Sequence, residues 1–363
     1  MTAGRERRPA GSAPFGFAVG YDPGASVREM TEQIAAAERA GFSLGMFSEA
    51  FFTNRDSVSA LSTFAASTST IQLATTQIVR LRSPLLMAQT AATLDEVCGG
   101  RLTLVLGAAT KRHGERNGLP AQVPPATPPQ TLREYLLAVR LLLTGERVRF
   151  HGKVVDLDDV GLNWRPVRSG IPLWSAATSR LGLRIAAELA DGVLLDGGTS
   201  PEYTASAVAL LRRYREDAGK SMHGFTVAQL ISVSIADSEE QALDAVRWEV
   251  ASKFRYGLTA ASKIAVGEPH VAPGAPERLS EVYRNQGEEA LLAAVPDAYV
   301  RALTASGTEE QVQARIAAYR RAGAGVPVLR APTPSQIPRL LNLATRSGWV
   351  ARPAASVSPG GAA

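Results

Sequence analysis

Small and polar side chains follow the apolar runs of this chain at several points, and two of them could move protons. Glu49 follows the run Leu44–Ser48, and His113 lies in the charged segment KRHGER. Carboxyl groups and imidazoles commonly act as general acids and bases, and the imidazole titrates near neutral pH. Glu49 and His113 are therefore the catalytic candidates. A salt-bridged glutamate and a solvated charged loop are the plainer interpretations of the same residues.

A second group of residues could bind an anion. Thr178 and Ser179 open a predicted helix, where free backbone N–H groups and the positive end of the helix dipole attract negative charge. Ala177 before them and the pair Gly197-Gly198 after the next predicted strand let an anion approach closely. The pattern indicates a phosphate site, although an ordinary helix cap beside a glycine turn has the same pattern.

The remaining candidates follow the third and fourth predicted strands. Thr75, Thr76 and Gln77 lie near the end of a β-rich run. Arg112, next to Lys111, could bind an acidic cofactor tail or a substrate carboxylate. The four histidines lie too far apart to form a helical His-x-x-x-His pair, and a single cysteine, Cys98, excludes a cysteine-rich metal site. No metal site is predicted.

These residues are positioned by alternating strands and helices. Helix signals separate most of the apolar runs, among them the capping boxes Ser26–Glu29 and Thr308–Gln311 and a proline after Ser200. The predicted strands are 15–20, 44–48, 71–79, 102–107, 171–176, 192–196, 225–235 and 326–330.

Strand–helix alternation implies right-handed parallel units, which form either a closed barrel or an open doubly wound sheet. A dinucleotide-binding open sheet needs a G-x-G-x-x-G turn after its first strand, and this chain has GYDPGAS there. Eight units and 363 residues favour the (β/α)8 TIM barrel. The candidate residues would then meet at the carboxyl ends of the strands.

Two stretches exceed the simple repeat. The first, between the fourth and fifth strands, holds a proline-rich segment, a helix predicted to be capped by Thr131 and Glu134, and a hairpin-like run at 148–159. The second spans residues 257–300. We expect both to shape or cover the active site. Residues 15–350 are predicted to be one barrel domain, with a flexible arm at 1–14 and a disordered tail at 351–363.

Composition and charge indicate which kinds of molecule this protein is expected to bind. The chain has 45% apolar residues and a net charge of +5, and no basic block interleaves with aromatic residues, so nucleic acid is not an expected partner. No apolar run reaches the length of a membrane helix, and Asp22 and Pro23 interrupt the apolar run of a secretory signal. We expect a cytoplasmic protein that acts on a small molecule.

Four segments of the chain form a distinctive set. They are AERAGFSLGMFSEAF, RSPLLMAQTAATLDEVCGGRLTLVLG, IPLWSAATSRLGLRIAAELADGVLLDG, and VPDAYV with SGTEEQVQARIAAYRRAGA. From about Phe15 to Leu343 the chain resembles the bacterial luciferase-like flavin and deazaflavin oxidoreductases, a (β/α)8 family. The family's proline, Leu-Asp and Gly-Gly-Arg pattern and its Ala-Asp-Gly-Val signature are both present.

The resemblance implies a cofactor whose phosphate binds at Thr178, Ser179, Gly197 and Gly198. It also implies that a strained, often cis, peptide near Thr76-Gln77 supports the cofactor ring. The segments RSPLLMAQTAATL and TKRHGERNG are similar to a subgroup that uses the deazaflavin F420, which carries hydride and does not activate oxygen. The basic pair before His113 mildly favours F420, whose polyglutamate tail is acidic.

The family allows other outcomes. An FMN enzyme would be a two-component monooxygenase supplied by a partner flavin reductase, and members are commonly homodimers. Many members have a histidine directly after the acidic residue that follows strand two, and this chain has Ala50 there. His113 or Glu115 could take over proton transfer. A catalytically silent flavin-binding barrel is the alternative from another class.

Overall fold

The computed structural model describes residues 14–20, 22, 24–50, 54–109 and 127–350. Eight parallel strands pair in the order β1-β2-β3-β4-β7-β8-β9-β11, and β11 pairs with β1. The ring is closed, so the predicted (β/α)8 barrel is confirmed. The strands are β1 (Gly16–Val19), β2 (Leu44–Ser48), β3 (Gln72–Ile78), β4 (Leu102–Gly107), β5 (Val148–His151), β6 (Asp156–Val160), β7 (Leu173–Ala176), β8 (Gly192–Leu195), β9 (Thr226–Ile235), β10 (Ala305–Gly307) and β11 (Val326–Arg330).

The helices follow the strands with the expected alternation and add four in the second excursion. They are α1 (Val27–Ala40), α2 (Ser57–Ser67), α3 (Pro84–Val97), α4 (Pro128–Leu142), α5 (Arg180–Leu189), α6 (Pro201–Asp217), α7 (Glu239–Phe254), α8 (Leu258–Val266), α9 (Ala275–Gln286), α10 (Glu288–Ala294), α11 (Asp297–Leu303), α12 (Glu309–Arg321) and α13 (Ile337–Arg346). Among the described helices, none is both long and apolar enough to cross a membrane.

The helix starts confirm three of the predicted caps and correct a fourth. Both capping boxes form, and Ser200 caps α6 with a proline at its first turn. The prediction that Thr131 and Glu134 cap α4 is wrong. Thr127 is the cap, because two prolines directly after it start the helix one turn earlier, and proline fits the first turn of a helix.

Glu134 instead stabilises the hairpin of the first excursion. Its carboxylate accepts backbone N–H groups from Lys153 at 2.9 Å, Val154 at 2.7 Å and Val155 at 2.9 Å. These residues lie between β5 and β6, which pair antiparallel as the sequence predicts. Glu134 therefore attaches the hairpin to α4.

Inward side chains of the eight closing strands fill the barrel. Side chains alternate between the two faces of a strand, so every second residue points inward. The inward cluster is aliphatic apart from one tryptophan, and it consists of Ala18, Leu44, Met46, Ala74, Val105, Trp174, Leu194, Ala228, Leu230, Val326 and Val328. A larger apolar layer lies between the strands and the helices.

The second excursion packs as a separate small core against α7. Leu243, Val250 and Phe254 of α7 contact apolar side chains of α8 to α11, including Leu279 and Leu291. The four helices therefore form a block beside β9 and β10 rather than a loose loop. This block lies over one side of the barrel's carboxyl end, where α8 packs against α5 and α6.

Candidate active site at the carboxyl end of the barrel

Within the residues that the structure describes, the carboxyl end of the barrel has short side chains on one side, called the open side below, and a buried ionic cluster on the other. Ser48, Thr76, Gly107 and Ala176, on four consecutive strands, occupy inward positions by strand alternation, and all four are half-buried. Short side chains at these positions leave room above the apolar interior. A flat molecule could lie over this side, because no bulky group stands at these four positions.

The opposite side is closed by a buried ionic cluster. Arg330, at the end of β11, pairs with Glu249 of α7, and Ser232 of β9 hydrogen-bonds both. Arg330 and Glu249 are each 4% exposed at the side chain. Glu249 Oε1 has no hydrogen-bond partner within the described residues. The cluster places a buried arginine and its paired glutamate beside the open side.

Glu49 lies in a network of hydrogen bonds at the end of β2. Its Oε2 accepts the backbone N–H of Ile78 at 2.8 Å, and its Oε1 pairs with Arg82. The Ser57 hydroxyl lies 3.5 Å from Oε1, and the side chain is only 10% exposed. This is the salt-bridged interpretation of Glu49. The carboxylate joins the ends of β2 and β3, and it positions the segment after β3.

That segment has an unusual backbone. Arg80 adopts a φ of +81°, in the left-handed region that disfavours residues with a side chain. The Tyr135 hydroxyl donates to the Arg82 carbonyl at 3.2 Å, and burial raises the pKa of Tyr135. Strained residues persist only where their surroundings hold them. Here α4 and Glu49 hold the turn beside the open side of the barrel.

The three candidates on β3 face different ways. Thr76 points inward and is half-buried, whereas Thr75 and Gln77 are fully buried on the face that packs against the helices. Both amide atoms of Gln77 lack hydrogen-bond partners in the described part of the chain. Contact between Thr75 or Gln77 and a ligand in the barrel would have to use their backbone atoms.

The start of α5 has the groups that an anion site needs. Ser179 caps the helix and accepts the Gly182 N–H at 3.1 Å, which leaves its O–H free to donate. Within the described residues, the backbone N–H groups of Thr178 and Ser179 have no protein acceptor. Thr178 and Ser179 are half-buried, and Ala177 beside them is small. The structure therefore places Ala177, whose own N–H donates to Leu194, beside the free donors of Thr178 and Ser179.

Gly197 and Gly198 are buried rather than open. Nζ of Lys263, on α8, donates hydrogen bonds to the carbonyl oxygens of Gly197 at 2.6 Å and Gly198 at 3.1 Å. Gly198 has a φ of +66°, and a Cβ there would lie 3.2 Å from Lys253 Cγ. The two glycines follow β8, the strand next to β7, and thus form a wall beside the candidate anion site, with lysines packed against them.

Asp196 connects this wall to the interior. It receives the Gly197 N–H at 2.8 Å and lies 3.1 Å from Lys253 Nζ and 3.4 Å from Lys263 Nζ. Burial alone would raise the pKa of Asp196, but the two ammonium groups outweigh burial and hold that pKa well below its usual range. Burial also lowers the pKa of Lys263 to about 8, against the attraction of Asp196.

Sequence reasoning missed Asp196, Glu249, Lys253, Lys263 and Arg330. Strand alternation could have identified Asp196 and Arg330, because each continues the inward series of its strand. The two lysines and Glu249 lie on α7 and α8, whose packing no local pattern showed. His113 and Arg112, with neighbouring Lys111, lie outside the described residues.

A cavity of about 480 Å³ opens at the other end of the barrel. Leu44, Thr103, Trp174 and Val326 line it at the amino ends of the strands. None of the candidate residues lies there. Active sites of (β/α)8 barrels lie at the carboxyl end, so the open side described above remains the candidate site.

The chain is similar to known proteins over most of its length. A family model described as luciferase-like monooxygenase matches residues 10–325. The 5,10-methylenetetrahydromethanopterin reductase of Archaeoglobus fulgidus is 27% identical over 314 residues, which cover 85% of this chain and 90% of the relative. The F420-dependent glucose-6-phosphate dehydrogenase of Nakamurella multipartita is 29% identical over 171 residues, which cover 46% of this chain and 48% of the relative.

Solved structures show the same architecture. The coenzyme F420 dependent tetrahydromethanopterin reductase of Methanopyrus kandleri superimposes with a TM-score of 0.78 at 23% identity. The match covers 93% of this chain and 98% of that chain. At this identity the likeness shows the fold.

Proposed function

Because the chain belongs to the luciferase-like monooxygenase family, we propose that it is an oxidoreductase that uses F420 to exchange a hydride with a small organic substrate. Relatives with F420-dependent or reductase names support this choice over FMN. When bound, F420 would supply the hydride-carrying ring carbon. The protein would supply binding, orientation and a site shielded from water.

The free donors at the start of α5 carry the proposal. Thr178 and Ser179 would hold the phosphate of the cofactor through their N–H groups and hydroxyls, with the helix dipole adding attraction. The four short inward side chains at the ends of β2, β3, β4 and β7 leave space for the ring above Thr76. The residues present therefore fit a cofactor with an anionic stem and a flat ring.

Glu49 acts in this proposal by holding the β3 turn in place. Its carboxylate is committed to Ile78 and Arg82, so a proton must come from elsewhere. His113 remains the proposed acid–base group, and Arg112 the proposed partner of an acidic cofactor tail.

Replacing His113 by alanine should leave F420 binding intact and slow turnover at least tenfold, an effect typical of general acid–base catalysis. Unchanged turnover would remove His113 from the mechanism.

Cofactor titration tests the proposal directly. Purified protein is titrated with oxidised and reduced F420 and, separately, with oxidised and reduced FMN, following cofactor fluorescence. We expect saturable F420 binding and weaker FMN binding. Tight binding of FMNH2 with oxygen consumption would favour the two-component monooxygenase instead. F420 binding without turnover across aldehydes, ketones, imines and enones would favour the silent barrel, for which Ala50 is the supporting feature.

A further inference from the structure

Lys263 holds the backbone and the carboxylate that lie next to the candidate anion site. β7 and β8 are paired up to Ala176 opposite Leu194, and the Ala177 N–H donates to the Leu194 carbonyl, so Thr178 and Asp196 both follow the paired ends of adjacent strands. An ionised Asp196 on the next strand would repel a phosphate bound at Thr178 and Ser179. The groups that offset its charge therefore decide how well an anion binds there.

Two ammonium groups face that one carboxylate. Lys253 comes from α7 with a side chain that is 21% exposed, and Lys263 comes from α8 with a side chain that is 3% exposed. While both are protonated, this trio carries one excess positive charge. If Lys263 loses its proton, the trio becomes neutral, and the hydrogen bonds from Nζ to the Gly197 and Gly198 carbonyls weaken because they are no longer charge-assisted.

We propose that Lys263 is a positioning residue for the anionic stem of the cofactor: its ammonium group fixes the Gly197–Gly198 loop and offsets Asp196, so that an anion can bind beside them at the start of α5. The inference rests on the proposed function, because it takes an anion to bind at Thr178 and Ser179. Its further claim is that cofactor affinity depends on the charge of one buried side chain.

The surroundings of Lys263 predict where this dependence appears. Asp196 and Glu268 favour its charged form, whereas burial and Lys253 disfavour it, so that its pKa falls to about 8. Tyr203 of α6 faces the same cluster, and burial together with Asp196 and Glu268 raises its pKa, so it stays neutral. Lys263 is thus protonated below pH 8, where anion affinity should be full. Affinity should fall as pH rises through 8.

Global unfolding would give a different pH response. The folded pKa of Lys263 is lower than its unfolded value of 10.5. The unfolded chain therefore binds more protons between pH 8 and 10.5, and this group makes the folded state more stable as pH rises. Loss of affinity with retained stability above pH 8 would identify a local effect.

The test measures F420 and FMN binding from pH 6.5 to 9.5 by cofactor fluorescence. The wild type is compared with Lys263→Met, which keeps the length and removes the charge. Lys220→Met is the control, because Lys220 is exposed and its Nζ contacts only the Glu188 carbonyl, outside the site. The ratio of variant to wild-type affinity at each pH cancels titration of the cofactor itself.

We expect wild-type affinity to fall on the order of tenfold as the pH rises through 8, because the site then loses one unit of positive charge near the bound anion. Lys263→Met should bind about tenfold more weakly at pH 7 and show no step near pH 8. Lys220→Met should match the wild type. A flat wild-type profile, or Lys263→Met with wild-type affinity and profile, would overturn the proposal.

Asp196→Asn provides a second arm should Lys263→Met fold poorly. Removing the carboxylate that favours charged Lys263 should move the step in affinity below pH 8, a shift that a purely structural role of Asp196 does not produce. A step that stays at pH 8 would count against the inference.

If neither cofactor binds the wild type, the proposed function fails. Amide exchange at 197–199 in the unliganded protein then tests whether Lys263 fixes the loop. Exchange that speeds up above pH 8 by more than the intrinsic chemical rate would support this role, and exchange that follows the chemical rate would contradict it.

Discussion

Charged residues at the carboxyl end of the barrel mostly neutralise each other, and few are left to act on a ligand directly. Glu49 pairs with Arg82, Glu249 with Arg330, and Asp196 with lysines. The free polar groups are instead backbone N–H groups and hydroxyls at the start of α5. At the scale of single residues, these donors support the proposed anion site, and Glu49 holds the β3 turn.

The first prediction concerns the Glu49–Arg82 pair. Glu49→Gln should lower the free energy of unfolding by about 2 kcal/mol, because it leaves the half-buried Arg82 guanidinium with only the longer, more exposed pair to Asp56. It should also weaken F420 binding, since the β3 turn loses its support. Urea unfolding and cofactor titration measure the two effects. The control is Glu146→Gln, whose pair with Arg165 is largely exposed and should change stability by less than about 0.5 kcal/mol.

The second prediction places a negative charge in the proposed phosphate site. Thr178→Asp should weaken F420 binding by on the order of thirtyfold or more, because like charges would meet where the N–H groups now point freely. Its thermal midpoint should change little, since Thr178 is half-buried and its side chain makes no hydrogen bond within the described structure. Ser221→Asp, exposed near the amino ends of the strands, is the control. Equal binding by the two variants would contradict this anion site.

At the scale of elements, both excursions are anchored by single carboxylates that accept backbone N–H groups. Glu134 holds the β5–β6 hairpin, and Glu268 accepts the Ser200 N–H at 2.8 Å and the His270 N–H at 3.1 Å. The Glu134 contacts lie within the first excursion and hold its hairpin on α4, whereas the contact of Glu268 with Ser200 joins the second excursion to the start of α6. The second excursion is therefore fixed relative to the barrel at this point.

The hairpin gives a prediction with a pH sign. Burial opposes ionisation of Glu134, but Gln130 and three backbone N–H groups outweigh it and lower its pKa below 4.5. The stabilisation is therefore present above pH 4.5 and lost as pH falls through the lower folded value. Glu134→Gln should speed amide exchange across 148–160 by about fivefold to tenfold at pH 7, the equivalent of a lost charge-assisted hydrogen bond. Unchanged exchange in this variant would show that the hairpin does not depend on Glu134.

At the scale of the whole molecule, the barrel closes only where the residues of neighbouring strands fit together, and the contact between β7 and β8 is one such place. Trp174 of β7 crosses the interior beside Gly192 of β8, and the two residues are opposite each other in register. A Cβ at Gly192 would lie 2.8 Å from the Trp174 ring and 2.8 Å from the Thr226 carbonyl. Only glycine allows the strands to pack at this point.

Gly192→Ala tests this packing. We expect the free energy of unfolding to fall by about 2–3 kcal/mol, because a methyl group has to displace a buried ring or part of the backbone. Gly170→Ala is the matched control, since nothing lies within 4 Å of its added Cβ and its φ is ordinary. Chemical denaturation of both variants is the measurement. Similar stabilities for the two would refute the steric explanation.

Local patterns in the sequence determined the order of strands and helices, most helix caps and the eightfold count. These features arise from residues close together in the chain, such as Ser26 with Glu29 and the apolar alternation of Val326 and Val328. The sequence also predicted the start of α5 as the candidate anion site, because a cap and small neighbours are local signals. Ser179 does cap that helix.

Only the tertiary structure decided what surrounds those local features. It showed that Glu134 binds the hairpin, that Gly197 and Gly198 are covered by lysines, and that Glu49 is held by Arg82. Each contact joins residues from separate elements, and Lys263 is 66 residues from Gly197 along the chain. A buried charge needs a partner wherever the fold brings one, so burial and pairing become visible only once the elements are packed.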